Sequence, residues 1–195
     1  IINWTYSING SQVGTDSYNW NYVDRLTQGE VREESTPYTF TSGGNFTYTV
    51  TVTSCSPNES STSNNSNTIT VFVNTPPTIP SNPVPANGAI NIPVTTNSLD
   101  WANSTDANGD AIQYDVYFGT DPSPDAGELL GTFSNSNFTG LPSLNYGTTY
   151  YWQIIARDSR GATTPGPVWN FTTRIAQPDL IVQNQTVTPT AVYSG

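Results

Sequence analysis

The chain has 195 residues, of which only 10% are charged, and fifteen acids against five bases leave a net charge of −10. That sign, with no basic stripe, opposes a phosphate backbone, so no nucleic acid is expected as a partner. No run of about 18 apolar residues exists to span a membrane, and a chain without His offers its single thiol, Cys55, no neighbouring imidazole base for catalysis.

Thr, Ser and Asn dominate the composition, and aromatics reach 12%. Thr, Tyr, Val and Phe suit a pleated, half-buried surface, while Gly, Pro, Asn and Ser supply turns, so the composition predicts an all-β chain. Sandwich modules run to about 100 residues, and two of them fit this length. No signal peptide is visible at Ile1, which predicts either a removed leader or an internal piece of a longer chain.

In chain order, Ile2, Trp4, Tyr6 and Ile8 alternate ahead of Asn9-Gly10, which predicts a strand entering a tight hairpin, with Gln12 to Thr15 returning as its partner. Residues 16–35 lose the pattern and hold Tyr18, Trp20, Tyr22 and most of the local charge; a long insertion of this kind reads as a functional or interface loop. The pattern resumes at Tyr38 and Phe40, passes a Ser42-Gly43-Gly44 turn, and runs through Phe46, Tyr48, Val50 and Val52 between threonines. A low-complexity tract over 54–67 follows, and Ile69, Val71 and Val73 make a last strand. On the stretches WTYSING (4–10), YTFTSGGNFTYTVTVTS (38–54) and TITVFV (68–73), the segment 1–73 resembles a polycystic-kidney-disease-type (PKD-like) immunoglobulin-fold repeat. The resemblance implies a sandwich over 1–74 whose first strand is missing ahead of Trp4.

Residues 75–85 contain Pro76, Pro77, Pro80, Pro83 and Pro85, a semi-rigid extended linker that also opens the next module. In that module, Tyr150, Trp152, Ile154 and Ala156 fall on one face of a strand and Tyr151, Gln153, Ile155 and Arg157 on the other. Leu99 and Trp101, then Tyr114, Val116 and Phe118, then LPSLNYGTTYYWQIIARD (141–158) and VWNFTT (168–173), resemble a fibronectin type III domain over 78–174. Leu144, Thr148 and Tyr150 match that family's corner motif, which implies a Tyr150 hydroxyl bonded to nearby backbone; Tyr146 stands where the family has proline. The expected inward set is Trp101, Tyr114, Val116, Phe118, Phe138, Tyr150, Trp152, Ile154 and Phe171. Beyond it, the Pro178-Asp179-Leu180 run resembles the opening strand of the cell-adhesion-related (CARDB-like) domain family, so 175–195 is expected to be an extended strand that starts a further domain or is donated to a neighbour.

Few residues suggest chemistry. Asp106, Asn108 and Asp110 place oxygen-bearing side chains at alternate positions around Gly109, like the first half of a calcium loop without its later bidentate acid. The same residues read more readily as a plain turn with positive φ at Asn108-Gly109, so no cofactor is required and calcium is the one metal the pattern admits. Asp121, Asp125 and Glu128 form a second acidic loop with weaker grounds. Glycosidase chemistry needs two carboxyls held roughly 5–10 Å apart in a cleft, and acids scattered beside Gly and Pro do not suggest one. Asn-x-Ser/Thr sequons occur at Asn3, Asn9, Asn45, Asn58, Asn64, Asn103, Asn137, Asn170 and Asn184, a modest excess over chance. Exposed rings such as Tyr22, Tyr117 and Tyr151 could stack on sugars, but neighbours in a tandem array or plain cross-strand pairs account for them more simply. Cys55 reads as a harmless thiol or as half of an intermolecular bridge.

The resemblances imply a non-catalytic structural or adhesive module of a secreted cell-surface or filament protein, whose partners are further copies, neighbouring immunoglobulin-like domains or surface glycans. Strand donation between subunits is one route of assembly. The competing reading is an accessory spacer or carbohydrate-binding region of a large secreted hydrolase.

Overall fold

The computed structural model describes residues 2–18, 38–55, 63 and 65–178. Among them the regular structure is all β, apart from one short 3-10 turn at Ala126–Glu128.

The first unit is an antiparallel sheet of β1 (Ile2–Ile8), β2 (Ser11–Tyr18), β3 (Gly44–Cys55) and β4 (Ser66–Val73), in the order β2-β1-β3-β4. Asn9 and Gly10 both take positive φ, 48° and 80°, which makes the two-residue hairpin that their identities favour. The returning strand is longer than the expected 12–15, because Ile8 pairs with Ser11 and the ladder runs on to Tyr18. Asn9 Oδ1 accepts from the Thr47 amide at 2.9 Å and fastens the turn to β3. Tyr6 and Ile8 are buried, and Tyr48 stacks on Tyr6 with ring centroids 6.1 Å apart. The other face carries threonines that meet across strands, Thr49 and Thr68 hydroxyls at 2.9 Å. Of the sandwich expected over 1–74, the described residues make this one layer. Its outer strand β4 keeps Ile69 and Phe72 exposed.

The second unit holds two packed sheets. The smaller consists of β10 (Asn137–Thr139), β7 (Ser98–Ala102) and β5 (Ser81–Val84). The larger runs β6 (Ala89–Ile92), β13 (Trp169–Thr173), β11 (Thr149–Asp158), β8 (Ile112–Gly119) and β9 (Leu129–Phe133), with β12 (Thr163–Pro165) also lying along β11. Pro83 lacks an amide hydrogen and sits in edge strand β5, where the register shifts between Ser81 and Val84. Gly166 separates β12 from β13: a Cβ there would meet the Ile154 carbonyl at 2.8 Å, so the close approach needs glycine.

Burial along β11 alternates strictly over 150–156, with Tyr150, Trp152, Ile154 and Ala156 at 5% exposure or less. Trp152 lies opposite Phe118 on β8 and opposite Trp169 on β13, its ring 4.7 Å from that of Trp169. Tyr114 meets Trp101 of the other sheet edge-on at 5.4 Å, which closes the core across the two layers. Of the expected inward set only Phe138 stays part-exposed, packing against the core from its rim, while Trp169, Leu99, Leu141 and Leu144 join it. The corner forms as the resemblance implies. Tyr150 Oη accepts from the Asn145 amide at 2.9 Å, and Thr173 ties in by accepting from the Thr148 amide and donating to the Asn145 carbonyl. Tyr146 stays half exposed outside this network, so the missing proline leaves it intact. The all-β, immunoglobulin-like sandwich expected for this region is the architecture found.

Trp152→Ala empties the centre of the second unit and is expected to lower its stability by about 3–5 kcal/mol; Tyr150→Phe, which loses one hydrogen bond, costs about 1 kcal/mol. Guanidinium unfolding followed by tryptophan fluorescence ranks the two, and an equal loss from both would contradict the packing described.

Candidate functional site: the junction between the units

The loop joining β7 to β8 and the turn joining β11 to β12 lie at the same end of the second unit, and both touch the chain leaving β4. The β7–β8 loop is shaped from within. Asp106 Oδ1 accepts from the amides of Asn108 (2.8 Å) and Asp110 (3.1 Å), and the Gly109 amide donates to the Asp106 carbonyl. Gly109 takes φ 78°, whereas Asn108 keeps a negative φ, so the turn expected at Asn108-Gly109 needs the left-handed region at one residue only. With its backbone satisfied inside the loop, Asn108 spends its side chain outside it. Its Oδ1 accepts from the Thr75 amide at 2.8 Å and its Nδ2 donates to the Val73 carbonyl at 3.4 Å.

The β11–β12 turn supplies the second grip. Asp158 is 3% exposed. Its Oδ2 accepts from Asn74 Nδ2 at 2.8 Å, and its Oδ1 from the amides of Arg160 and Ala162, each at 2.9 Å. Burial pushes the Asp158 carboxyl upward, but these donors outweigh it and hold its pKa below the ordinary carboxylate value. Arg160 bridges the units: its Nε donates to both Asp110 oxygens at 3.0–3.1 Å, and its guanidinium carbon lies 3.9 Å from the ring centroid of Phe72 on β4. The turn ahead of β3 closes against the same place, since a Cβ on Gly43 would collide with Thr75 Oγ1 and crowd the Asn108 amide. Farther along, Thr164 Oγ1 donates to the Pro77 carbonyl at 2.6 Å and the Thr78 amide to the Thr105 carbonyl at 2.8 Å, fastening the proline-rich chain to the second unit.

The three candidate calcium ligands therefore share one loop but point their oxygens at protein donors: Asp106 Oδ1 at two amides, Asn108 Oδ1 at Thr75, and Asp110 at Arg160. Asp106 Oδ2 and Asn74 Oδ1 are buried and have no partner among the described residues. Nor does any group of three or more His, Cys, Asp or Glu converge among those residues. The second acidic loop is a helix cap: the Asp125 side chain accepts from the Gly127 amide while Glu128 accepts from the amides of Asp121 and Asp125. Tyr117 and Tyr151 are half-buried on the outer face of the larger sheet, and Tyr22 lies outside the described residues. On that face Asp115, 6% exposed, accepts from Arg157 Nη2 at 2.9 Å and from Thr132 Oγ1 at 2.5 Å. The hydrogen bond and the charge of Asp115 together raise the Arg157 pKa further. Matching outward parity on β8 and β11 was the available signal for this pair; the register that aligns the strands was not in the sequence.

Of the sequons, Asn9, Asn45, Asn103 and Asn137 are exposed, Asn3 and Asn170 half-buried, and Asn58, Asn64 and Asn184 lie outside the described residues. Cys55 ends β3, opposite Ile2.

No protein-family profile and no curated protein matches the chain. Among solved structures it is similar to the fibronectin(III)-like modules of Clostridium thermocellum CbhA, at 11% identity and a TM-score of 0.35, over 94% of this chain and 83% of that one.

Because the folded pKa of Asp158 lies below its unfolded one, its carboxylate adds stability that is complete above about pH 5 and is lost as the pH falls through the ordinary value near 4 and then the folded one. Thermal unfolding between pH 7 and pH 2 is expected to show a shallower acid limb in Asp158→Asn than in the parent, with a lower melting temperature at pH 7. Parallel limbs would contradict the role given to this carboxylate.

Proposed function

We propose that this chain is a non-catalytic structural and adhesive segment of a secreted cell-surface or extracellular filament protein, in which immunoglobulin-like units are strung in tandem at a fixed angle. The junction is the observation that carries this reading. Adjacent modules joined only by a flexible linker move freely by default, yet here one amide side chain bonds the backbone on both sides of Asn74. Neutral hydrogen bonds contribute about 1 kcal/mol each, and a cation over an exposed ring about 0.5–1 kcal/mol. Proline at 76 and 77 stiffens the connection further. A segment built this way transmits length and direction.

The finer assignments belong to the same proposal. Residues 1–73 are a PKD-like repeat, supported by the strand motifs that make β1, β3 and β4; the second unit is a fibronectin type III module, supported by its strand order and the Tyr150 corner. The run from 178 opens a CARDB-like domain. An extracellular setting is supported by a surface of hydroxyls and amides with few charges. Partners are further copies or neighbouring immunoglobulin-like domains. The outer edge of β4, where Ile69 is 53% exposed, is the place for an added strand.

Small-angle scattering of the whole chain tests the stiff junction. Asn108→Ala combined with Arg160→Ala is expected to broaden the interatomic distance distribution and extend its maximum, while the melting of the second unit changes little. Identical profiles, or a parent profile already as broad as the variant's, would contradict the fixed angle. Because Asp106 Oδ1, Asn108 Oδ1 and both Asp110 oxygens are taken by protein donors, millimolar calcium and a chelator are expected to give superimposable profiles and equal melting temperatures. A calcium-dependent rise in melting temperature would instead assign the loop to the metal.

A further inference from the structure

We infer that the folded protein is an acceptor for N-linked glycans at Asn9, Asn45, Asn103 and Asn137, and that its fold closes Asn3 and Asn170 to the same modification. This inference rests on the extracellular reading above. A sequon is read through two groups, the asparagine amide and the hydroxyl two residues on, and the structure sorts the described sequons by both.

In the four open sites each asparagine is exposed, and so is its hydroxyl partner: Ser11, Thr47, Thr105 and Thr139 respectively. Asn9 stands exposed on the hairpin turn, its Oδ1 accepting from the Thr47 amide. Asn103 lies in the loop after β7, where the Thr105 hydroxyl is exposed although it lies 3.3 Å from Thr78 Oγ1, and Asn137 begins the edge strand β10. Asn45 lies near the start of β3, on the threonine-lined outer face beside Phe72. The two closed sites differ in both groups. Asn3 Nδ2 donates to Ser54 Oγ at 2.6 Å and Thr5 is half-buried. Asn170 Nδ2 reaches Asn87 Oδ1 at 3.4 Å, and the hydroxyl of its half-buried Thr172 is hydrogen-bonded to Thr149 at 2.9 Å.

The chemistry is a glycosyl transfer from a lipid-diphosphate-linked oligosaccharide. Nδ2 forms a bond to the anomeric carbon, the bond from that carbon to the diphosphate oxygen breaks, the lipid diphosphate leaves, and the amide proton passes to a base of the transferase. Nothing is oxidised or reduced. The modification places bulky, solvating groups on a surface that carries few charges.

The test is glycopeptide mass spectrometry of the full chain after transfer by an oligosaccharyltransferase in vitro, on folded and on denatured protein in parallel. Folded protein is expected to carry glycan at the four open sites with at least about tenfold higher occupancy than at Asn3 and Asn170, and denaturation is expected to erase that difference. Absent transfer at the four sites, equal occupancy across all six, or a difference that persists after denaturation would each overturn the inference. Fractionation of the native source separates this from the reading beneath it: surface-located protein bare at all four sites sinks the glycan inference alone, whereas intracellular protein sinks the extracellular reading.

Discussion

The strict alternation of β11 is the constraint from which the rest follows. A strand flanked on both sides, by β8 and by β13, must bury one whole face, and Trp152, Ile154 and Ala156 at 0% exposure leave no room for slippage. A one-residue shift would turn Tyr151, Gln153, Ile155 and Arg157 into the core and the aromatics into water. With β11 held in register, its end at Asp158 is fixed relative to the start of β8 at Ile112, because these two residues are ladder partners. The loop preceding β8 and the turn following β11 are thereby brought to one pole. The core thus positions the surface that grips the preceding unit.

Much of the architecture was legible in the sequence because its signals are local. The strands at 2–8 and 46–52, the alternating burial of 150–156, the Asn9-Gly10 hairpin and the Tyr150 corner all involve residues within a few positions of one another, and each appears as read. Trp169 was missing from the inward set although a period of two from Phe171 already places it on that face; the ladder with β11 then sets it opposite Trp152.

The junction was not legible for the opposite reason. Asn108 and Thr75 are 33 positions apart, and Asn74 and Asp158 are 84 apart. An Asp-x-Asn-Gly-Asp run advertises oxygen atoms, and sequence alone cannot tell whether metal or amide hydrogens will meet them. Asp106 satisfies its own loop, and that frees Asn108 to reach outward. The sequon pattern has the same character. Nine tripeptides look alike as letters, yet the exposure of the asparagine and of its hydroxyl residue divides the described ones into two kinds.

Two β-units fastened by side-chain hydrogen bonds suit the proposed role in spacing and contact, and among the described residues the junction is where those bonds join the units. The account therefore stands on whether the units share one orientation in solution. Residual dipolar couplings collected for amides of β3 and of β11 in a single aligned sample measure this directly. One alignment tensor of common magnitude and direction should fit both strands; two tensors of different magnitude would show that the units reorient independently and would contradict the fixed junction.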